Sequence, residues 1–396
     1  MVVMAALGVG CGQPEPRAPQ PQSNSSAAVV ALQQGKFDDA LRESSAILAR
    51  DAHASQAAAV HAIARYQQAS TTLVQTLGTV ADRAESLKFF DHEQGRAAWR
   101  TFLGELEEID HDIAIAANDP GFALELCLAC WQYDWNRNGR IDERDLKMLD
   151  LEFDGKGGEL PDGDPRRKPT YRFDRGDALW ARAMLSFQRA GVELVLAYRW
   201  SELDKLFAGG DDKLHMTIKL IDPGRVSHAR ALVLAGLGFA DQTREAYLAE
   251  TDDDREWVPN PRQKSYAMPL AVDPKLYSTW AAVVGDVRRM LESQEGISLR
   301  EVAAIIVGPR HIADVPNAYV DLGRMLREPT DMVFDINDDL PRPQMYERIF
   351  RGLLGHGYAE SMRASPLVGR LRHMKEELER GEDTIDRKLR YLFWLN

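Results

Sequence analysis

The sequence predicts an all-α protein, a helical bundle or helical-repeat-like fold carrying one long loop crossover. Three observations lead there. Apolar residues recur at three- and four-residue steps in long stretches such as DALWARAMLSFQRAGVELVLAYRW and RVSHARALVLAGLGFADQTREAYLAE. Strand-like alternation is scarce, and its best candidates, MTIKLI and VAAIIV, are short. Residues 150–177 form a run rich in Gly, Pro and Asp that must bridge two helical regions.

Composition sets the bounds. The chain has 396 residues, 44% hydrophobic and 28% charged, which is ordinary for a folded protein of two or three domains. Its net charge of −12 argues against nucleic-acid binding, because phosphate contacts need clustered Lys and Arg. The longest basic cluster is only Arg166-Arg167-Lys168. No apolar run reaches the roughly 18 to 20 residues that span a bilayer as a helix.

The start, MVVMAALGVGCGQPEPRAPQPQSNSS, joins a short apolar stretch to a Cys and then to a Pro- and Gln-rich segment. This resembles the end of a bacterial lipoprotein signal peptide. The resemblance implies lipid on Cys11, removal of the leader, and a cell-envelope location. The pattern departs from that family at Gly8, where Leu is preferred, and it lacks a charged amino-terminal region. Residues 1–11 are therefore read as signal and 12–26 as a disordered tether, since prolines without aromatics cannot nucleate a core. A helical domain is expected over 27–260 and a carboxy-terminal helical region over 261–396.

The first folded segment, AAVVALQQGKFDDALRESSAILARDAHASQAAAVHAIARYQQA, resembles a tetratricopeptide unit. Gly35, Phe37, Ala40 and Leu41 match its turn and second helix, and Asp51 falls at the end of the repeat. A generic helical hairpin accounts for the same residues, and no further clear repeat follows. Helices are expected next over Thr71–Phe90 and Glu93–Asn118, then a break at Asn118-Asp119-Pro120-Gly121. FALELCLACW reads as a helix running into Asp134. Its Cys127 and Cys130 then lie mid-helix, as buried hydrophobes or as a disulfide, and not at the helix start where redox pairs sit.

DWNRNGRIDERDL, from Asp134, carries the most specific chemistry. Calcium takes six to eight oxygens at about 2.3 to 2.6 Å, and a short loop supplies them only by wrapping the ion. Asp134, Asn136 and Asn138 stand at loop positions 1, 3 and 5, Gly139 at the sharp turn, and Arg140 offers its carbonyl at position 7. Ile141 is the expected core anchor, Asp142 takes position 9 and Asp145 position 12. The pattern resembles EF-hand calcium loops and, through Asp at the end, those of bacterial dockerins. An ion-free Asx-rich turn is the alternative. With few charged ligands and two nearby arginines, the expected dissociation constant is on the order of 10⁻⁵ to 10⁻³ M.

A partner loop is not evident. DGKGGELPDGDP has the acids without the order, and DINDDL offers Asp335, Asn337 and Asp339 but has Leu340 in place of the Gly. Asp162 or Asp164 is a candidate to complete the first loop's coordination. His356 with Glu360 and His111 with its flanking acids read as ordinary polar pairs, and His92-Glu93 as a helix start. No phosphate loop, nucleophile elbow or other catalytic set is present. LAGLGFA reads as glycine in a packed helix.

A seam rich in acids and prolines lies near residue 260, in TDDDREWVPNPRQKSYAMPLAVDPKL. The aromatic end, Tyr391 to Leu395, is expected to dock into a core. The function expected is calcium-supported binding or scaffolding of a protein partner at the envelope. The rivals are an envelope enzyme with a calcium-ordered loop and a calcium-responsive adhesion or assembly module.

Overall fold

The computed structural model describes residues 26–87, 90–134, 140–152, 158–205, 213–253, 255–264, 274–306, 309–337 and 339–379. Cys11 and most of the tether, Asn136, Asn138 and Gly139 of the loop, and the aromatic end lie outside the described residues.

The chain is mostly helical, and it opens with α1 (Ser26–Gln33), α2 (Phe37–Leu48) and the long α3 (Ser55–Leu87). The turn between α1 and α2 rests on Gly35, whose φ of +67° favours a residue without Cβ. A Cβ there would lie 2.3 Å from the carbonyl oxygen of Gln132, so the turn presses directly on distant backbone. The Gln132 amide in turn donates to the Gln33 carbonyl at 3.1 Å. α3 is 33 residues long against 12 for α2, so the first hairpin is not copied at equal length.

α4 (His92–Asn118) starts at His92 as expected, with Asp91 as its cap accepting from the Gln94 amide at 3.0 Å. It packs along α3, joined by Arg65–Glu105 at 2.6 Å and His61–Asp112 at 2.8 Å.

The all-α expectation fails first at FALELCLACW. Ala123–Leu126 is a strand, β1, and residues 128–130 form a single tight 3-10 turn closed by a Cys127–Cys130 disulfide. The physical reason lies in the pattern: Phe122, Leu124 and Leu126 are buried while Glu125 is exposed, a period of two that a helical reading overlooks. β1 pairs antiparallel with β2 (Tyr171–Asp174), Ala123 opposite Asp174 and Leu126 opposite Tyr171. The chain between these strands is thus a closed excursion with a two-stranded neck. Within it the described regular helix is the short α5 (Glu143–Leu146).

α6 (Arg175–Ala197) follows β2 directly, capped by Asp174, and α7 (Pro223–Ala249) is capped by Asp222. These two helices pack closely along their length. A Cβ on Gly236 would meet the Phe187 ring at 2.6 Å, so the glycine in LAGLGFA is what admits that ring. Between them β3 (Tyr198–Arg199) and β4 (Lys213–Leu220) form an antiparallel pair, so MTIKLI is a strand as expected.

Beyond the seam come α8 (Pro274–Leu291), β5 (Ile297–Ser298), α9 (Leu299–Ile306), β6 (Tyr319–Val320), α10 (Leu322–Arg327), β7 (Met332–Asn337), α11 (Arg342–Leu354), β8 (Tyr358–Ala359) and α12 (Leu367–Glu379). The described part of VAAIIV, 302–306, is helical inside α9, because Leu299 and Ala303 turn one face into a small core with Val315 and Ala318. β7 adds to β4, and β5, β6 and β8 make a third small sheet.

Two apolar cores meet at α6. One gathers Leu32, Leu106, Ile109, Trp131, Phe173 and Leu196, and the other Ala183, Val226, Leu237, Val284, Leu291 and Leu326. α7 and α8, on either side of residue 260, pack against each other and share the second core. α12 is held to α8 by Asp286, fully buried, which pairs with Arg370 at 2.9 Å and with Arg289. Among the described residues no helix is long and apolar enough to cross a membrane.

The contact at Gly35 makes a simple test. Gly35→Ala is expected to lower unfolding free energy by about 1–3 kcal/mol, from left-handed strain and the clash with Gln132. Urea denaturation measures it, and an unchanged midpoint would show that the turn is not seated there.

Candidate functional site

The predicted calcium loop is entered and left by well-held chain. On the entry side Trp131 is buried, and the Tyr133 ring packs on Phe37 with centroids 5.3 Å apart. The Tyr133 hydroxyl meets Thr71 of α3 at 2.9 Å. Asp134 therefore follows a residue anchored to two helices. No helix leads into it, contrary to expectation, because β1 and the disulfide-closed turn occupy that stretch.

On the exit side α5 starts at Glu143, one residue after Asp142. The Asp142 carboxylate accepts from the Arg144 amide at 2.9 Å, and Asp145 accepts from the Asp142 amide at 3.0 Å. This reciprocal capping box turns Asp145 inward, where it is 3% exposed. Loop positions 9 and 12 are thereby brought together on one short turn. Arg140 is exposed, as its expected carbonyl-only role allows. The arrangement of Asp134, Asn136, Asn138, Arg140, Asp142 and Asp145 as one ligand ring falls partly on residues outside those described.

Ile141 corrects the expectation of a core anchor. It is 51% exposed, and Leu146 and Met148 beside it are 39% and 40% exposed. The helix is a single turn on the outer side of the excursion, so its apolar residues find no core beneath them. Asp162 and Asp164 are also engaged elsewhere. Asp162 pairs with Arg167 and with Lys147 at 3.5 Å, while Asp164 caps the 3-10 turn at 165–167 and pairs with Arg166 at 2.6 Å. Asp150, nearly buried, faces Arg167 and Lys168, both at 3.6 Å, so ion pairs tie the excursion to itself.

The remaining candidates disperse. His356 is exposed in a tight turn, and Glu360 pairs with Arg351 at 2.6 Å. His111 is exposed, while its neighbours Asp110 and Asp112 serve Arg182 at 2.9 Å and His61. Asp335 lies in β7 and pairs with Arg348.

A second acidic group forms that sequence reading missed. One oxygen each from Asp174, Glu250 and Glu256 lies within 4.8 Å of the others. Asp174 ends β2 and caps α6, Glu250 follows the last turn of α7, and Glu256 lies beside Arg172 of β2. The segment after Glu250 is fixed by a buried polar knot. Asn260 donates to the carbonyls of Tyr247 at 2.8 Å and Glu250 at 3.2 Å, and Gln263 donates to the Glu250 carboxylate at 3.2 Å. Asp177, also buried, accepts from the Tyr247 hydroxyl at 2.6 Å.

Carboxylates this close, one buried and two half-buried, repel one another. Either protons or a divalent cation must offset them, and oxygen ligands of this kind suit a hard cation. Burial, then the hydrogen bond and charge of Asp174, push Glu250 up to about 10. Burial, then the charge of Asp174, likewise push Asp177 well above the carboxylate range. Glu250 ends a stretch that reads as helix and Glu256 lies in the seam after it, so their spacing alone does not point to Asp174.

No family model, curated protein or solved structure matches the chain. Its resemblances therefore stand on their own residues.

The acidic group predicts a pH dependence. Its folded state holds a proton on Glu250 far above the ordinary value of 4.5. The stability lent by that proton is fully present below about pH 4.5 and is lost as pH rises toward 10. Urea midpoints between pH 5 and pH 9 in chelator should fall with rising pH, and Glu250→Gln should flatten the slope. A midpoint that climbs across this range in the parent protein would exclude proton sharing.

Proposed function

We propose that this protein is a calcium-binding, lipid-anchored component of a bacterial cell envelope, with a binding or scaffolding role and a mainly structural calcium. The observation that carries the reading is the match of Asp134 to Asp145 to a calcium loop, joined to a helix that starts one residue after Asp142 with Asp145 folded back on it. Asp134, Asn136, Asn138, the Arg140 carbonyl, Asp142 and Asp145 are the ligands. The ion sits in an excursion whose described residues between the two strands hold only short helical turns, so its main effect is to order that excursion. The exposed Ile141, Leu146 and Met148 beside the loop support a protein-binding role, since apolar groups gathered on a surface favour a partner. The anchor rests on Cys11 and the apolar stretch before it.

One observation favours a second reading, an envelope enzyme whose loop calcium orders. The acidic group of Asp174, Glu250 and Glu256 lies at the neck of the same excursion, where a cation or proton could serve chemistry.

Calcium titration by calorimetry should detect binding with a dissociation constant on the order of 10⁻⁵ to 10⁻³ M. Asp134→Ala should abolish that heat and the accompanying rise in melting temperature. Heat that survives the substitution would move the site elsewhere, with Glu250→Gln then separating the acidic group. Mass spectrometry of the native protein should find a diacylated or triacylated Cys11 at the mature amino terminus; an unprocessed, unlipidated chain would refute the anchor.

A further inference from the structure

The first core is not filled. A half-enclosed cavity of about 80 Å³ runs between α3, α6, the end of α4 and the β1–β2 ribbon. Its wall on α6 extends from Asp177 to Gln188, about 16 Å along the axis at roughly 1.5 Å per residue. That volume is the space open to the centres of water-sized spheres, and spread over such a length it leaves a narrow slot, a path about one hydrocarbon chain wide. Its width comes from alanines where α3 and α6 face it, Ala59 and Ala62 on one side and Ala178 and Ala181 on the other. Leu124 and Leu126 of β1 form the floor.

The two ends differ. At one, both oxygens of Asp177 are occupied, by the Tyr247 hydroxyl at 2.6 Å and the Asp174 amide at 2.9 Å. At the other, the Gln188 amide nitrogen meets the Tyr66 hydroxyl at 3.0 Å, while its oxygen is buried and has no partner among the described residues. Exchanging the two amide atoms leaves the same result, one buried polar end unmatched. A buried polar atom without a partner costs on the order of 1–3 kcal/mol, so such atoms call for a ligand or a water. A single water can satisfy the amide, but it leaves the apolar slot unfilled.

We infer that this slot binds one unbranched alkyl chain carrying an uncharged polar end, the chain lying along the alanines and the polar end at Gln188 and Tyr66. An apolar body set against a few fixed polar groups is the usual form of a small-molecule site. The chemistry is that of a fatty alcohol or of an acyl chain with a neutral head.

A series of 1-alkanols from butanol to tetradecanol, titrated into the full chain, tests it. Saturable one-to-one binding is expected, tightening about fourfold per added methylene and then levelling where the slot ends. Gln188→Leu should weaken 1-decanol at least about fivefold. Ala181→Leu should narrow the slot and weaken it at least about tenfold at an unchanged circular dichroism spectrum. Affinity that keeps rising with length without levelling is plain partitioning and overturns the inference, as does absence of saturable binding. Equal affinity in folded Ala181→Leu or Gln188→Leu overturns it too. The length series uses the unaltered protein, so the test stands if Ala181→Leu does not fold.

Discussion

The structure turns on the acidic groups gathered around the start of α6. Asp174 pairs with Ala123 across the neck of the excursion, caps α6, and joins Glu250 and Glu256 in one group. Asp177, one turn on, takes the Tyr247 hydroxyl from α7. Both apolar cores meet along the same helix. Carboxyl groups in such a place demand a proton, a cation or hydrogen bonds, and the surrounding chain supplies the last through the Asn260 and Gln263 knot. The segment 250–263 is therefore a structural tie between α7 and the neck.

The excursion depends on this neck. Its base is closed by β1 and β2 and by the disulfide-bridged turn, and its body is crossed by ion pairs from Asp150 and Asp162. The exposed Asp162–Lys147 pair contributes little by itself, whereas Asp150 and Arg167 face each other largely out of water. A cation held between Asp134 and Asp145 would bind the folded excursion and not the unfolded one, and so would stabilise it. The chain entering the loop touches the amino-terminal hairpin, because the Gly35 turn rests on Gln132 and Phe37 on Tyr133. A change in the loop would thus be felt by the first helices.

Much of the helical scaffold was legible. α6 and α7 followed their three- and four-residue spacing, and α4 began where His92 and Glu93 pointed. The errors fell on short apolar runs. FALEL looked like part of a longer helix because cysteines and Trp131 extended its apolar length, yet its alternation was that of a strand. VAAIIV is one of the two best strand candidates in the sequence, but a small local core selects one helical face over 302–306. Ile141 was assigned to a core by analogy with loops that sit against one, and here the short α5 lies outside.

By itself the sequence determined the helical character and the regular spacing of Asp134, Asn136, Asn138, Asp142 and Asp145. All of these are local, set by spacing along a few turns of chain. Only the tertiary structure decided that Glu250 and Glu256 come to Asp174, that Ile141 faces solvent, and that alanines of α3 and α6 leave a slot between them. Those depend on which distant segments share a neck or a core. Burial, which pushes the Glu250 and Asp177 carboxyls upward, is a property of that shared packing and of no single stretch of sequence.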